Sequence, residues 1–240
     1  LGDVYKRQLY SWDVGMGVNF AALYAYYLAS PFNWLLLLCP SSLIIEFMTY
    51  MIVFKSGLAG LSMAWYLKKY TGSQKFGACY FGVFYALSGY MAAYSWNIMW
   101  LDCIVLLPLI LHGLERLVRE KKGLFYCLML GLSILSNYYI SIMICLFMVI
   151  YYVALLFLEK RPGWKDCLHS FFLFGVYSLL AGALAAAVLL PEIAALQSTA
   201  SGDFNFPTTL EIYFPIFVMI ARHIGNLQVE TGLDHWPNLY

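Results

Sequence analysis

The chain has 240 residues, a formal net charge of +1 and 11% charged side chains, against 62% apolar and 18% aromatic ones. A soluble domain carries about 25% charged and 45–50% apolar residues, so a water-soluble globular protein is excluded. The near-neutral balance, with no basic block outside three short loops, also argues against a nucleic-acid partner.

In chain order, residues 1–8 (LGDVYKRQ) read as a translated sequencing adapter rather than native protein and receive no role. Residues 9–42 read as an external loop with an amphipathic or re-entrant part. Its stretch Tyr10–Phe20 (YSWDVGMGVNF) is aromatic and punctuated by glycine. The GxG there is no phosphate loop, because the third glycine and the strand-to-helix setting are missing. Asp13 in this stretch is either a general base facing a cavity or the cap of the helix that follows. Asn19 adds a second polar group.

Residues 43–191 read as a transmembrane helix bundle. The first span, 43–67, ends at Lys68-Lys69. Residues 77–95 run back to a connection without Lys or Arg that holds Asn97, and 103–118 return to Arg116, Arg119, Lys121 and Lys122. Residues 124–158 are too long for one span of about 20 residues and have basic flanks on both sides, so they fold as a hairpin turning at Ser136-Asn137. The first arm is then only about 20 Å long at 1.5 Å per residue, short of a hydrocarbon core of about 30 Å. Polar backbone at that depth needs protein or a watery cavity around it, which implies a cavity opening outward beside Asn137. Residues 168–191 form the last span. Residues 192–240 read as a second external segment, truncated, with an amphipathic helix near 209–222 and the single cation Arg222.

Lys and Arg in short loops mark the cytoplasmic side. Ten of the fourteen fall in three such loops, around Lys68–Lys75, Arg116–Lys122 and Lys160–Lys165. The fold class is therefore all-α, a polytopic membrane helix bundle of about six spans, with residues 1–42 and 192–240 external. The polar residues outside the basic loops then collect at the outer face. Asp102 is either part of an active cavity there or a helix cap favoured by the dipole. Lys55 lies mid-bilayer, where an ionisable residue faces a cavity or pairs with another group. It is read as a counter-charge for an anion such as a lipid phosphate, or as half of an ion pair; Glu46 is poorly placed, and Asp102 or another acid on a neighbouring helix suits better. Glu115 and Arg116 are expected to be solvated at the cytoplasmic border. Trp96, Trp100, Tyr138 and Tyr139 read as interface anchors, or as aromatic surfaces that pack against sugar rings. The six cysteines show no CxxC pair and the four histidines no ligand spacing, so no metal site is read.

The stretches Tyr10–Phe20, Tyr27–Pro31 (YLASP), Lys55–Gly60 (KSGLAG), Ala86–Asp102 (ALSGYMAAYSWNIMWLD) and Leu106–Leu117 (LLPLILHGLERL) together resemble the bacterial YfhO-type membrane protein family over about residues 9–240. The resemblance implies a GT-C-like fold and a glycosyltransferase that takes sugar from a polyprenyl-phosphate donor. The acceptor would be an envelope polymer or lipid, such as lipoteichoic acid, at the outer face of the cytoplasmic membrane. It also implies that the first transmembrane helix and part of the first external loop lie outside this sequence, along with a carboxylate that serves such enzymes as base. The expected roles are Asp13 and Asp102 as catalytic acids, with Lys55, Asn19, Asn97, Asn137 and Arg222 binding substrate. The cofactor requirement is open: a divalent metal is compatible with such chemistry, but no ligand motif is seen. Two other classes compete with the enzyme: a transporter or flippase for a lipid-linked sugar, and a non-catalytic envelope assembly protein.

Overall fold

The computed structural model of the chain describes residues 10–11, 18–19, 23–72, 76–158 and 163–197. Asp13, Arg222 and the expected helix near 209–222 lie outside these residues. What is described is an all-α membrane bundle, preceded by a two-residue antiparallel ladder of β1 (Tyr10–Ser11) and β2 (Val18–Asn19), with Tyr10 opposite Asn19. A π-helical turn at Tyr24–Leu28 and a 3-10 helix at Pro31–Leu38 lead into the first long helix.

Helix α1 (Ile44–Thr71) has 28 residues, about 42 Å at 1.5 Å per residue, and ends at Gly72 in the left-handed conformation that glycine adopts without strain. Lys68 and Lys69 in its last turn complement the helix dipole. Next come α2 (Gly77–Ala86) and α3 (Gly89–Tyr94), then the central helix α4 (Ile98–Glu120). The α5 (Leu124–Ser136) and α6 (Tyr138–Leu158) pair forms the expected hairpin, broken at Asn137. Helices α7 (Trp164–Leu184) and α8 (Ala186–Gln197) complete the described part.

Helix α4 is the hub. It packs against α1, α5, α6 and α7, and half of its most apolar window is enclosed, against 11% for α7. Leu101, Ile110, Leu114 and Leu117 of α4 are fully buried with Tyr126 of α5 and Met148 of α6. Small residues permit the close approaches, as is usual between membrane helices. A Cβ on Gly113 would stand 2.7 Å from Tyr126 Cα, and one on Gly82 would stand 2.6 Å from the Gly60 carbonyl oxygen. The outer surfaces are apolar: Leu61, Phe81, Leu146, Phe157, Phe172 and Leu179 are all exposed, a pattern that lipid covers and water penalises.

The spans differ in detail from the sequence expectation. Among the described residues four helices are long and apolar enough to cross a membrane: Ser41–Thr71, Ile98–Glu120, Tyr138–Leu158 and Trp164–Leu184. The expected span 77–95 is interrupted at Leu87–Ser88, and neither α2 nor α3 is long enough alone. The expected span 168–191 is likewise divided at Ala185. Helix α4 starts at Ile98 rather than near 103, so Asp102 lies within its second turn and the cap position belongs to Asn97.

Candidate functional site

Two polar clusters lie along the α1–α4 interface. The first is at the end away from the basic loops. Lys55, midway along α1, and Asp102 of α4 are both fully buried, with Lys55 Nζ 2.8 Å from Asp102 Oδ1. Lys55 Nζ also donates to the Ile98 carbonyl at 3.1 Å and sits 5.5 Å from the centre of the Phe32 ring. Desolvating two charges is costly, and their attraction offsets the cost only with good geometry and further hydrogen bonds. The ammonium has one such bond, to the Ile98 carbonyl, and the carboxylate side is less well served. The Ser30 hydroxyl and the Lys55 ammonium both approach the carboxylate, yet neither carboxylate oxygen receives an aligned hydrogen bond from the described residues.

A cavity of about 630 Å³ adjoins this pair and shares Phe32 and Ile98 with it. Its walls include Tyr26, Phe47, Met51, Asn97 and Trp100, so it is largely aromatic and aliphatic, within the usual size range of small-molecule sites. The Trp100 indole N–H donates to the Tyr26 hydroxyl at 3.3 Å, and its ring stacks on Tyr139. Trp96 lines the same cavity but is 70% exposed. Asn97 is buried at the start of α4, and its Nδ2 has no partner among the described residues.

Asn137 is fully buried behind this site with its amide engaged. Its Oδ1 accepts from the Ile140 N–H at 3.0 Å, capping α6, and its Nδ2 donates to the Tyr26 carbonyl at 3.2 Å. Nearby, the Ser133 and Ser141 hydroxyls are 2.7 Å apart, and the Cys103 thiol faces the Ser133 and Asn137 carbonyls. The Tyr138 hydroxyl donates to Glu192 Oε1 at 2.7 Å. Asn19 is placed by its β2 backbone.

The second cluster is at the basic end and corrects an expectation. Glu115 is 2% exposed rather than solvated. The hydroxyls of Tyr66 and Tyr151 both donate to its Oε1 at 2.6 Å, and Arg119 approaches Oε2 at 3.8 Å. Arg116, by contrast, is half-exposed and pairs with Glu120 one turn on. Nothing local in the sequence marks Glu115 as buried, since its partners Tyr66 and Tyr151 are 49 and 36 positions away.

The structure thus joins Lys55 to Asp102, puts Asn97 in the adjoining cavity wall and holds Asn137 in the hairpin turn. Among the described residues no three His, Cys, Asp or Glu side chains come together to hold a metal ion, and the Lys55 ammonium against Asp102 repels a cation there.

A family model described as "Bacterial membrane protein YfhO" matches residues 5–240. No curated protein matches the chain, and neither does any solved structure.

Proposed function

The chain belongs to the YfhO family of bacterial membrane proteins, and on that premise we propose that it is a membrane glycosyltransferase of GT-C type. It would move a sugar from a polyprenyl-phosphate donor to an envelope acceptor such as lipoteichoic acid, at the membrane face opposite the basic loops. The observation that supports this reading is the buried Lys55–Asp102 pair beside an aromatic cavity at membrane depth. Ionisable groups so placed mark functional sites in membrane proteins.

In the proposed reaction a carboxylate takes the proton of the acceptor hydroxyl, whose oxygen attacks the anomeric carbon. The bond from that carbon to the phosphate oxygen breaks, and the lipid phosphate leaves with the electron pair. Asp13 and Asp102 are the candidate bases. Asp102 is fully buried against Lys55, so it reaches substrate only when the Phe32 side of the cavity opens. Asp13, in the segment before the bundle, lies outside the described residues. While Asp102 is ionised it largely cancels the Lys55 charge; once Asp102 has taken the proton, that charge, one aromatic ring from the cavity, stabilises the departing phosphate in a medium of low dielectric, with Arg222 as a second cation.

The test is transfer of labelled sugar from polyprenyl-phosphate donors to envelope polymer, in membranes holding the full-length protein, with D13N and D102N alongside. Transfer that vanishes in a well-inserted variant supports the reading. Transfer intact in D13N, D102N and a neutral Lys55 variant sinks the residue assignments.

A second reading, transport of a lipid-linked sugar, is favoured by the helix interruptions at Leu87–Ser88, Asn137 and Ala185. Broken helices surround midplane sites in transporters. Movement of donor across vesicles without an acceptor separates it from transfer.

A further inference from the structure

We propose that Asn97 and the uncapped first turn of α4 form a cradle for the phosphate of an amphiphilic anion, whose apolar chain lies along the Phe47–Met51 side of the cavity. The proposal deepens the sugar-transfer reading, and rests on it only for identifying that anion with the lipid phosphate of the donor.

The first backbone N–H groups of any helix lack intrahelical acceptors, and an asparagine at the cap position commonly satisfies one through its side-chain oxygen. Asn97 occupies that position in α4 but makes no such side-chain bond. Its backbone is engaged, the carbonyl accepting from the Trp100 N–H at 2.9 Å and the N–H donating to the Tyr94 carbonyl at 3.0 Å, but its side chain is not. Its Nδ2 is left without an acceptor among the described residues, although the residue is 4% exposed. A buried donor without a partner is destabilising, and a native protein keeps one for a reason. Here the reason is next to it, because Asn97, Ile98, Met99 and Trp100 all line the cavity. The amino end of a 23-residue helix, its free N–H groups and the carboxamide donor therefore meet in one recess, and such a terminus attracts anions.

Two further observations define the ligand. Lys55 and Asp102 nearly cancel each other just behind Ile98, so the cradle holds its anion by neutral donors and the helix dipole, and does not trap it as a tight ion pair. That suits a group that must leave. Most of the rest of the cavity is apolar, with Phe32, Leu36, Phe47 and Met48 among its walls, which a free inorganic anion would leave unused.

The experiment uses the full-length protein in neutral phosphatidylcholine nanodiscs, and measures binding of geranylgeranyl phosphate, geranylgeraniol and inorganic phosphate. Wild-type protein is expected to bind the lipid phosphate on the order of tenfold tighter than the alcohol. N97D, which sets a carboxylate in the cradle, should lose that preference while keeping its affinity for the alcohol. N97A, which deletes the donor without adding charge, should lose most of it and covers the case in which N97D does not fold. Equal affinity of wild type for phosphate and alcohol overturns the proposal, as does undiminished phosphate binding by a folded Asn97 variant. Inorganic phosphate binding as tightly as the lipid phosphate overturns the amphiphile. Asn97-dependent binding in a protein that transfers no sugar leaves the cradle standing and removes the transfer reading; transfer with Asn97-independent binding does the reverse.

Discussion

Asp102 and Glu115 are two buried carboxylates on one helix, 13 positions or about 20 Å apart along α4, and they are treated in opposite ways. Glu115 accepts two tyrosine hydroxyls on one oxygen and has an arginine near the other. Its needs are met by neighbours on α1, α4 and α6, which accounts for it as a brace. Asp102 faces a buried ammonium, has no aligned hydrogen bond to either oxygen and adjoins a cavity. Polar groups held in low dielectric are costly when incompletely satisfied, so the Asp102 arrangement is poor as a brace and suited to a site that changes partners. The contrast is the ground for proposing Asp102, rather than Glu115, as the functional acid.

The largest effect expected from breaking this contrast is at Lys55. K55M strands the Asp102 carboxylate in the bundle and should cost about 3–5 kcal/mol in thermal unfolding in detergent. K55M/D102L removes both charges and should recover most of that loss; a double variant as unstable as K55M would show that the pair itself, rather than the stranded charge, holds the helices together. G113V comes next. Its side chain meets the Tyr126 backbone two residues from Glu115, and overpacking of this kind costs about 1–3 kcal/mol. It should loosen the basic end while leaving lipid-phosphate binding at the cavity unchanged. E115Q keeps an oxygen acceptor for both tyrosines but loses the charge, a change of about 1–2 kcal/mol in the same unfolding measurement. At the bottom of the scale, R116Q breaks only the half-exposed pair with Glu120 and should shift stability by less than about 1 kcal/mol.

Much of this was legible in the sequence, and the parts that were not share a cause. The hairpin break at Asn137 follows from length and flanking charge alone, because a 35-residue apolar stretch between basic loops has few ways to fold. Lys55 stood out because depth makes a charge conspicuous, and Asp102 was one of the neighbouring acids that could pair with it; the packing of α1 on α4 selects it. The broken span at 77–95 had a signal in Ser88-Gly89, a dipeptide that punctuates helices, but mean hydropathy hides it. Glu115 could not be read. It sits beside Arg116 and Arg119 at a span's end, where solvation is the ordinary expectation, and only the packing of α1 and α6 brings Tyr66 and Tyr151 to it. The role proposed for Asn97 was half legible: its polarity at a turn was plain, while its missing cap bond is a matter of geometry.

The most direct measurement sets the two acids against each other in one assay of labelled sugar transfer from a polyprenyl-phosphate donor to envelope polymer. D102N and K55M/D102N, the latter free of a stranded buried charge, are compared with E115Q in membranes holding equal amounts of folded full-length protein. The account predicts that E115Q transfers at the wild-type rate, while both Asp102 variants fall by on the order of 100-fold. Equal rates in all variants, or an equal loss in E115Q, would contradict it.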